Sequence, residues 1–289
     1  MKLSLCIAVF NEEQNIHYPL DSAYDFVDEV VIVDGGSTDK AVEKARSYGK
    51  KVKIFIEPNP PMFHINKQKA IEQAKGEWIL QLDADEEISN ELKEEIQIVV
   101  NKNWEVGNKK LDNEIGSGKN RTSHIDFPAS NLSSPNSGQV AFRVPRKNYF
   151  LTRFLMKGGQ YPDYTIRLYR NGYARFPLKS VHENVEVKGN IGYLKNPIFH
   201  YADPNFSRYL KRWDRYTSLE AEQLLSEKKL NISISQFLNF FFVKPCVTFF
   251  SMYFRHLGFL DGFPGFVFAL FSSIRFWAIY IKLFVLKNP

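Results

Sequence analysis

Cysteine is scarce in this chain, with only Cys6 and Cys246 among 289 residues. Two cysteines build neither a disulfide framework nor a cysteine-based metal site, so each reads as a reduced apolar filler. Also missing is any G-x-G-x-x-G pattern, which removes a dinucleotide fingerprint. No internal repeat is visible. No charge-free run reaches the ~20 apolar residues that a spanning helix needs. The longest in the C-terminal part are residues 230–243 and 262–274. The opening MKLSLCIAVFNEE places a lysine before an apolar run. That run lacks a small-residue cleavage site and meets Asn11-Glu12-Glu13, so it reads as a buried first strand and not as a signal peptide. With export not expected, the sequons at Asn120, Asn131, Asn205 and Asn231 read as chance matches.

What the chain does have is apolar and aromatic surface. Hydrophobic residues make up 44% and aromatics 15%, with 25 phenylalanines, which is rich enough to imply apolar surface beyond a core. The formal net charge is +6, and the excess lies at the end: from Lys228 onward there are seven Lys/Arg against one acid, Asp261. Those cations sit among Phe and Leu instead of forming a polar stripe, which disfavours a nucleic-acid binder.

The first hundred residues alternate strand and helix signals. LSLCIAVF, EVVIVD, KVKIFIE and EWILQLD read as strands. NIHYPLDSAYDFV, DKAVEKARSYG, INKQKAIEQAKG and SNELKEEIQIVV read as helices. Gly49 and Gly76 are expected to close the second and third helices, and Ser89 or Asn90 to cap the fourth. Such alternation predicts an α/β fold with a mostly parallel sheet, whose ligands lie beyond the carboxyl ends of the strands. Residues 107–138 are polar and rich in Gly, Ser and Asn, and read as a flexible insertion. Strand signals return in QVAFRVPRKNYFL, YTIRLYRNGYARF, VHENVEV and NPIFHYA, followed by a long amphipathic helix. The division expected is a domain over 1–225 and an aromatic, amphipathic helical region over 226–289. Its interrupted apolar helices suit a bilayer interface, where cationic stems snorkel and rings sit at headgroup level. Packing on the catalytic domain or in a homo-oligomer is one alternative; a true span through 263–286 is another, opposed by the cost of central cations in hydrocarbon.

Four carboxylates crowd QLDADEE: Asp83, Asp85, Glu86 and Glu87. Asp83 and Asp85, flanking Ala84 at the end of a buried strand, could converge on one cation, since alternate extended residues face one side. Hard Mg²⁺ or Mn²⁺ shared with a substrate diphosphate would suit them. Glu86 and Glu87 read as acids favouring the positive end of the next helix. Asp34 ends the second strand in VIVDGGSTD, where Gly35 and Gly36 allow close backbone approach.

The ordered set LSLCIAVFNEE, EVVIVDGGSTD and KQKAIEQAKGEWILQLDADEE resembles the family 2 inverting glycosyltransferases of the GT-A fold. The later stretch VPRKNYFLTRFLMKGGQYPDYTIRLYRNG, with VHENVEV and IFHYA, resembles the bacterial subgroup that includes lipopolysaccharide-core glucosyltransferases. The resemblance covers about residues 1–100 and 140–220. It implies a GT-A (Rossmann-like) mixed, mainly parallel sheet flanked by helices, with a membrane-associating tail. It also implies a nucleotide-sugar donor, usually UDP-linked, and a divalent metal, Mg²⁺ or Mn²⁺. By position, Ala8, Phe10 and Glu12 would border the nucleotide, Asp34 would contact the base, and Lys67-Gln68 would replace the usual Arg-Asn. Asp83, next to Ala84, would approach the ribose, and Asp85 and His200 would serve the metal. An inverting transferase also needs a base for the acceptor hydroxyl, and the candidates are Asp163 and Glu183. Each could instead pair with Arg167 or Arg170.

The function so implied is metal-dependent transfer of a hexose, glucose first, from a UDP-sugar to a lipid-linked or lipopolysaccharide-core saccharide. The place implied is the cytoplasmic face of a bacterial inner membrane, with residues 230–286 on anionic lipid. Two other readings stand beside it: a nucleotidyltransferase, and a non-catalytic membrane-bound scaffold retaining the fold. The first lacks the expected glycine-rich, cationic phosphate loop, and the second sits poorly with intact Asp34, Asp83 and Asp85.

Overall fold

The computed structural model describes residues 1–60, 62, 64–107, 138–177, 185–227 and 233–287. The expected insertion over 107–138 and the candidate Glu183 with its neighbour His182 therefore fall, apart from their edges, outside the described residues. The chain forms two compact units, residues 1–145 with 164–198, and residues 146–163 with 199–289.

In the first unit, β1 (Leu3–Val9), β2 (Glu29–Asp34), β3 (Val52–Ile56) and β4 (Trp78–Asp83) run parallel in the order β3-β2-β1-β4. The helices between them are α1 (His17–Ala23), α2 (Ala41–Ser47) and α3 (His64–Gln73). The two central strands are apolar on both faces because helices cover both sides of such a sheet. Successive residues enter opposite cores: Leu5, Ile7, Val30, Ile32, Leu80 and Leu82 pack on one face, Cys6, Val31, Val33 and Ile79 on the other. Cys6 is the buried filler expected, and burial raises its thiol pKa beyond the usual range.

After β4 come β5 (Glu86–Ile88) and α4 (Asn90–Gly107). The Ser89 hydroxyl oxygen accepts the Leu92 N–H at 3.1 Å, so Ser89 is the cap. Gly76 has a different task from the one its sequence position suggested. The third helix stops at Gln73, and a Cβ at Gly76 would lie 2.7 Å from the Ser4 backbone nitrogen, so glycine lets the chain pass close to β1.

Strand β6 (Gln139–Phe150) carries the chain from the first unit into the second and pairs near its end with β7 (Arg153–Phe154). Strand β8 (Asp163–Arg170) then returns to the first unit, antiparallel to β4. The short β9 (Ala174–Arg175) and β10 (Glu186–Val187) pair with each other, and β11 (Asn190–Tyr193) pairs with β6.

The second unit also holds β12 (Ile198–Asp203) from Phe199 on, α5 (Phe206–Ser226), a helix over Ile234–Arg255, and a last helix over Gly262–Lys287. Asn205 caps α5, accepting the Arg208 N–H at 2.9 Å. The Ile234–Arg255 helix contains two π-helical turns, Asn239–Val243 and Ser251–Arg255. The first ends just before Pro245, whose missing N–H cannot serve the regular helical ladder. Helix α5 packs on the last helix: the Trp213 indole N–H donates to the Phe271 carbonyl at 3.0 Å, and Lys282 binds the Asp214 carboxylate at 2.6 Å. The segments Ile234–Arg255 and Gly258–Lys287 are long and apolar enough to cross a membrane by length and composition. Phe242, Val247, Phe250, Phe254, Phe263 and Trp277 are exposed on them.

Candidate active site

The carboxyl ends of three adjacent parallel strands bring the acidic motifs together in the first unit. The register pairs Val9 with Asp34 and Ala8 with Asp83, so residues far apart in sequence end neighbouring strands. Neighbouring strands lie only about 4.8 Å apart.

Asp34 builds its own turn. One carboxylate oxygen accepts the N–H groups of Gly36 (2.9 Å) and Ser37 (2.8 Å), and the other accepts the Ser37 hydroxyl. Gly36 takes φ +80°, which glycine adopts without strain. The loop after β1 is stitched to this turn: Asn11 N–H donates to the Ser37 hydroxyl at 2.8 Å, and the Asn11 side-chain oxygen Oδ1 accepts the Thr38 N–H at 2.8 Å. Phe10 is exposed beside Gly35, Ala8 is half-buried, and Glu12 accepts the Asn15 amide at 2.6 Å.

The end of β4 is a buried charge network. Lys67, from α3, pairs with one oxygen of Asp83. Arg167, on β8, donates to the other at 2.7 Å, to Glu86 at 2.6 Å and to the Gln81 side-chain carbonyl at 2.6 Å. Two cations and two carboxylates thus neutralise one another. Burial drives Lys67 below its ordinary pKa, against the attraction of Asp83. Burial also opposes the charge on Arg167, but Asp83 and Glu86 more than offset it and hold the guanidinium above its ordinary pKa.

Glu86 corrects the sequence reading. It starts no helix; it is 0% exposed in β5, paired with Arg167, and accepts the Asp83 N–H at 3.0 Å. Arg167 pairs with these acids and not with Asp163, and the Arg170 guanidinium lies 5.5 Å from the centre of the Trp78 ring. The sequence carried a signal for this network, because Arg167 stands between Ile166 and Leu168 in an apolar strand, and a buried charge requires partners. Gln68 is also engaged, its side-chain oxygen accepting the Phe176 N–H at 2.9 Å. Ala84 is buried and Asp85 half-buried in the turn after β4.

The carboxylate at this turn that could meet a metal ion is Asp85, half-buried two residues beyond Asp83. Among the described residues no cluster of three His, Cys, Asp or Glu side chains could hold an ion by itself. Mg²⁺ is commonly bound through one or two carboxylates together with substrate phosphates, and Asp85 fits that donor-dependent mode.

In the second unit, Asp163 is gripped on one side. The Arg146 Nε (3.0 Å) and Nη2 (2.7 Å) and the Asn148 amide (3.1 Å) all donate to Oδ2. Among the described residues, no donor reaches Oδ1. Burial alone would raise the carboxyl pKa, but Arg146, Asn148 and His200 hold it below the usual carboxylate value. His200 Nδ1 lies 2.7 Å from the Asn148 side-chain oxygen, so any ligand role falls to Nε2. The sequence did not disclose Arg146 and Asn148, which meet Asp163 only through strand geometry.

The sequence pattern of "Glycosyl transferase family 2" matches residues 4–174, which is more than half of the chain. The chain belongs to glycosyl transferase family 2. It is a glycosyltransferase, and its mixed, mainly parallel sheet flanked by helices is the GT-A fold. An uncharacterized glycosyltransferase of Rickettsia bellii is 26% identical over 95% of this chain and 84% of its own length. The lipopolysaccharide core biosynthesis glycosyltransferase LpsC of Rhizobium meliloti is 24% identical over 98% of this chain and 92% of its own. A crystal structure of S. aureus TarS 1–349 in complex with UDP-GlcNAc is 20% identical, with a TM-score of 0.43, covering 98% of this chain and 88% of that one.

Proposed function

We propose that this family 2 enzyme transfers a hexose, glucose first among candidates, from a UDP-sugar to a lipid-linked or lipopolysaccharide-core saccharide. The observation that carries the reading is the position of Asp34 and Asp83 at the ends of the two strands that flank β1, with Asp85 two residues beyond. Ligands of parallel sheets sit outside such ends. The likeness to LpsC supports the choice of acceptor.

Asp34 fixes the turn that meets the nucleobase, flanked by Ala8, Phe10 and Glu12. Lys67 and Arg167 hold Asp83, beside Ala84, in one orientation toward the ribose. Gln68 fixes the chain near Phe176 and so borders the donor only indirectly. Asp85 would hold a Mg²⁺ or Mn²⁺ ion, whose chemistry is Lewis-acid stabilisation of the departing diphosphate; His200 is the second candidate ligand. Asp163 takes the acceptor proton on Oδ1, the oxygen left by the three bonds to Oδ2. Glu183, outside the described residues, stays the rival for that role.

On this reading the enzyme works on anionic lipid at the cytoplasmic face of a bacterial inner membrane, held there by its apolar, cation-bearing C-terminal helices. Their exposed phenylalanines and the cations Lys244, Arg255, Arg275 and Lys287 support this reading.

The test is hydrolysis of UDP-glucose and other UDP-sugars with Mn²⁺ and no acceptor. Asp85→Ala is expected to lose about 100-fold or more, roughly 2.7 kcal/mol of transition-state stabilisation. A fully active Asp85→Ala protein sinks the assignment, and a UDP titration with and without Mn²⁺ separates lost binding from lost chemistry.

A further inference from the structure

The acid that stands alone in the basic tail has a use that the proposed chemistry does not explain. Asp261 ends the short turn Gly258–Asp261 between the two apolar helices, and it is 2% exposed. Its Oδ2 accepts the N–H groups of Met156 at 2.9 Å and Lys157 at 2.7 Å, and its Oδ1 lies 3.8 Å from the Arg153 guanidinium. Next along the chain, Gly158 N–H donates to the His256 carbonyl at 2.9 Å. Three consecutive amides of the segment leading to Asp163 are therefore held by the corner of the helical hairpin. The other end of the segment is fixed as well, because Leu155 N–H donates to the carbonyl of Asn148, whose side chain binds Asp163.

The corner is itself stiff. A Cβ at Gly265 would lie 2.1 Å from the Gly258 carbonyl oxygen, and one at Gly258 would lie 2.7 Å from the Met252 carbonyl oxygen. The neighbours of Asp261 face outward: Phe259, Leu260 and Phe263 are exposed, Phe263 by 72%. One short turn thus presents apolar side chains to its surroundings and a single carboxylate to the segment 156–158.

We propose that Asp261 is a positioning residue for glycosyl transfer, fastening the loop before Asp163 to the tail so that the tail sets where the base stands. The proposal rests on Asp163 being the base. A buried carboxylate serving two amides resists movement of either, since losing it takes the acceptor from both part-buried hydrogen bonds. Misplacement of a reacting group by about 1 Å can cost 100-fold in rate.

The test is a series in the full chain, Asp261→Asn, Asp261→Ser and Asp261→Ala. The readouts are kcat and KM for UDP-glucose hydrolysis with Mn²⁺, amide exchange at Met156 and Lys157, and co-sedimentation with phosphatidylglycerol vesicles. The asparagine oxygen still accepts both amides, so Asp261→Asn is expected within about threefold of wild type. Serine is expected to lower kcat, and alanine to lower it by about tenfold or more. The loss should follow the exchange rates of the two amides, with KM for the donor and vesicle binding within twofold throughout. If Asp261→Ala does not fold, the asparagine and serine variants still give the comparison. Faster exchange with unchanged kcat overturns the proposal, as does a rise in KM alone or a parallel loss of vesicle binding. A wild-type protein that turns over no UDP-sugar removes the functional reading and the proposal together. Variants that match an active wild type remove the proposal only.

Discussion

Replacing Arg167 by methionine would test the buried network most directly. The wild-type cluster balances Lys67 and Arg167 against Asp83 and Glu86. In Arg167→Met, Lys67 still answers Asp83, but Glu86, 0% exposed, loses the guanidinium that binds it at 2.6 Å. Breaking one partner out of a buried pair costs about 3–5 kcal/mol, and that is the loss expected near pH 7.5. Protonation removes the offending charge, and the folded variant then binds a proton at Glu86 more tightly than the unfolded chain does. Stability of the variant therefore falls as pH rises, and its deficit should shrink between pH 7.5 and pH 5. Arg167→Met/Glu86→Met restores the balance at one cation and one carboxylate, and should recover all but about 1–2 kcal/mol, because an apolar pair of similar volume often replaces a buried ion pair at little cost. Urea unfolding in mild detergent, followed by tryptophan fluorescence at both pH values, measures each step. A single-variant loss below about 1 kcal/mol would refute the reasoning, as would a double variant no more stable than the single one.

Arg146→Ala should raise the Asp163 pKa toward the ordinary carboxylate value. The stability that the pair contributes is present above the unfolded value of about 3.9 and is lost as pH falls through the depressed folded one. The acid limb of the UDP-glucose hydrolysis profile should accordingly move to higher pH in Arg146→Ala, and an unmoved limb would show that Asp163 does not set it. Membrane preparations should release the wild-type protein to detergent more completely than to 1 M salt. Full solubility without either would end the lipid reading.

Much of the first unit was legible because physics constrains its sequence tightly. A strand covered on both faces must be apolar throughout, and LSLCIAV, EVVIVD and WILQLD have almost no other way to fold. The family resemblance was legible for the same reason, since its motifs sit at the ends of those strands. What escaped the reading depends on pairing across distance. Glu86 looked like a helix-starting acid because its neighbours in sequence are acids, whereas its partner Arg167 is 81 residues away. Arg146 and Asp163 are 17 residues apart and meet through the strand ends. Gly76 matched the pattern of a helix stop, yet its requirement comes from the backbone of Ser4 across the sheet.

The corner at Asp261 bears on how the protein could be shortened. Cutting the chain after Ser226 would remove an apolar hairpin and seem to leave the transferase machinery whole. It would also strip the acceptor from Met156 and Lys157, the carbonyl from Gly158, and the Phe271 carbonyl from the Trp213 indole. The segment before Asp163 would then have to find its own place in water. Solubility gained by such trimming would come with a segment 156–158 that no longer has a fixed address.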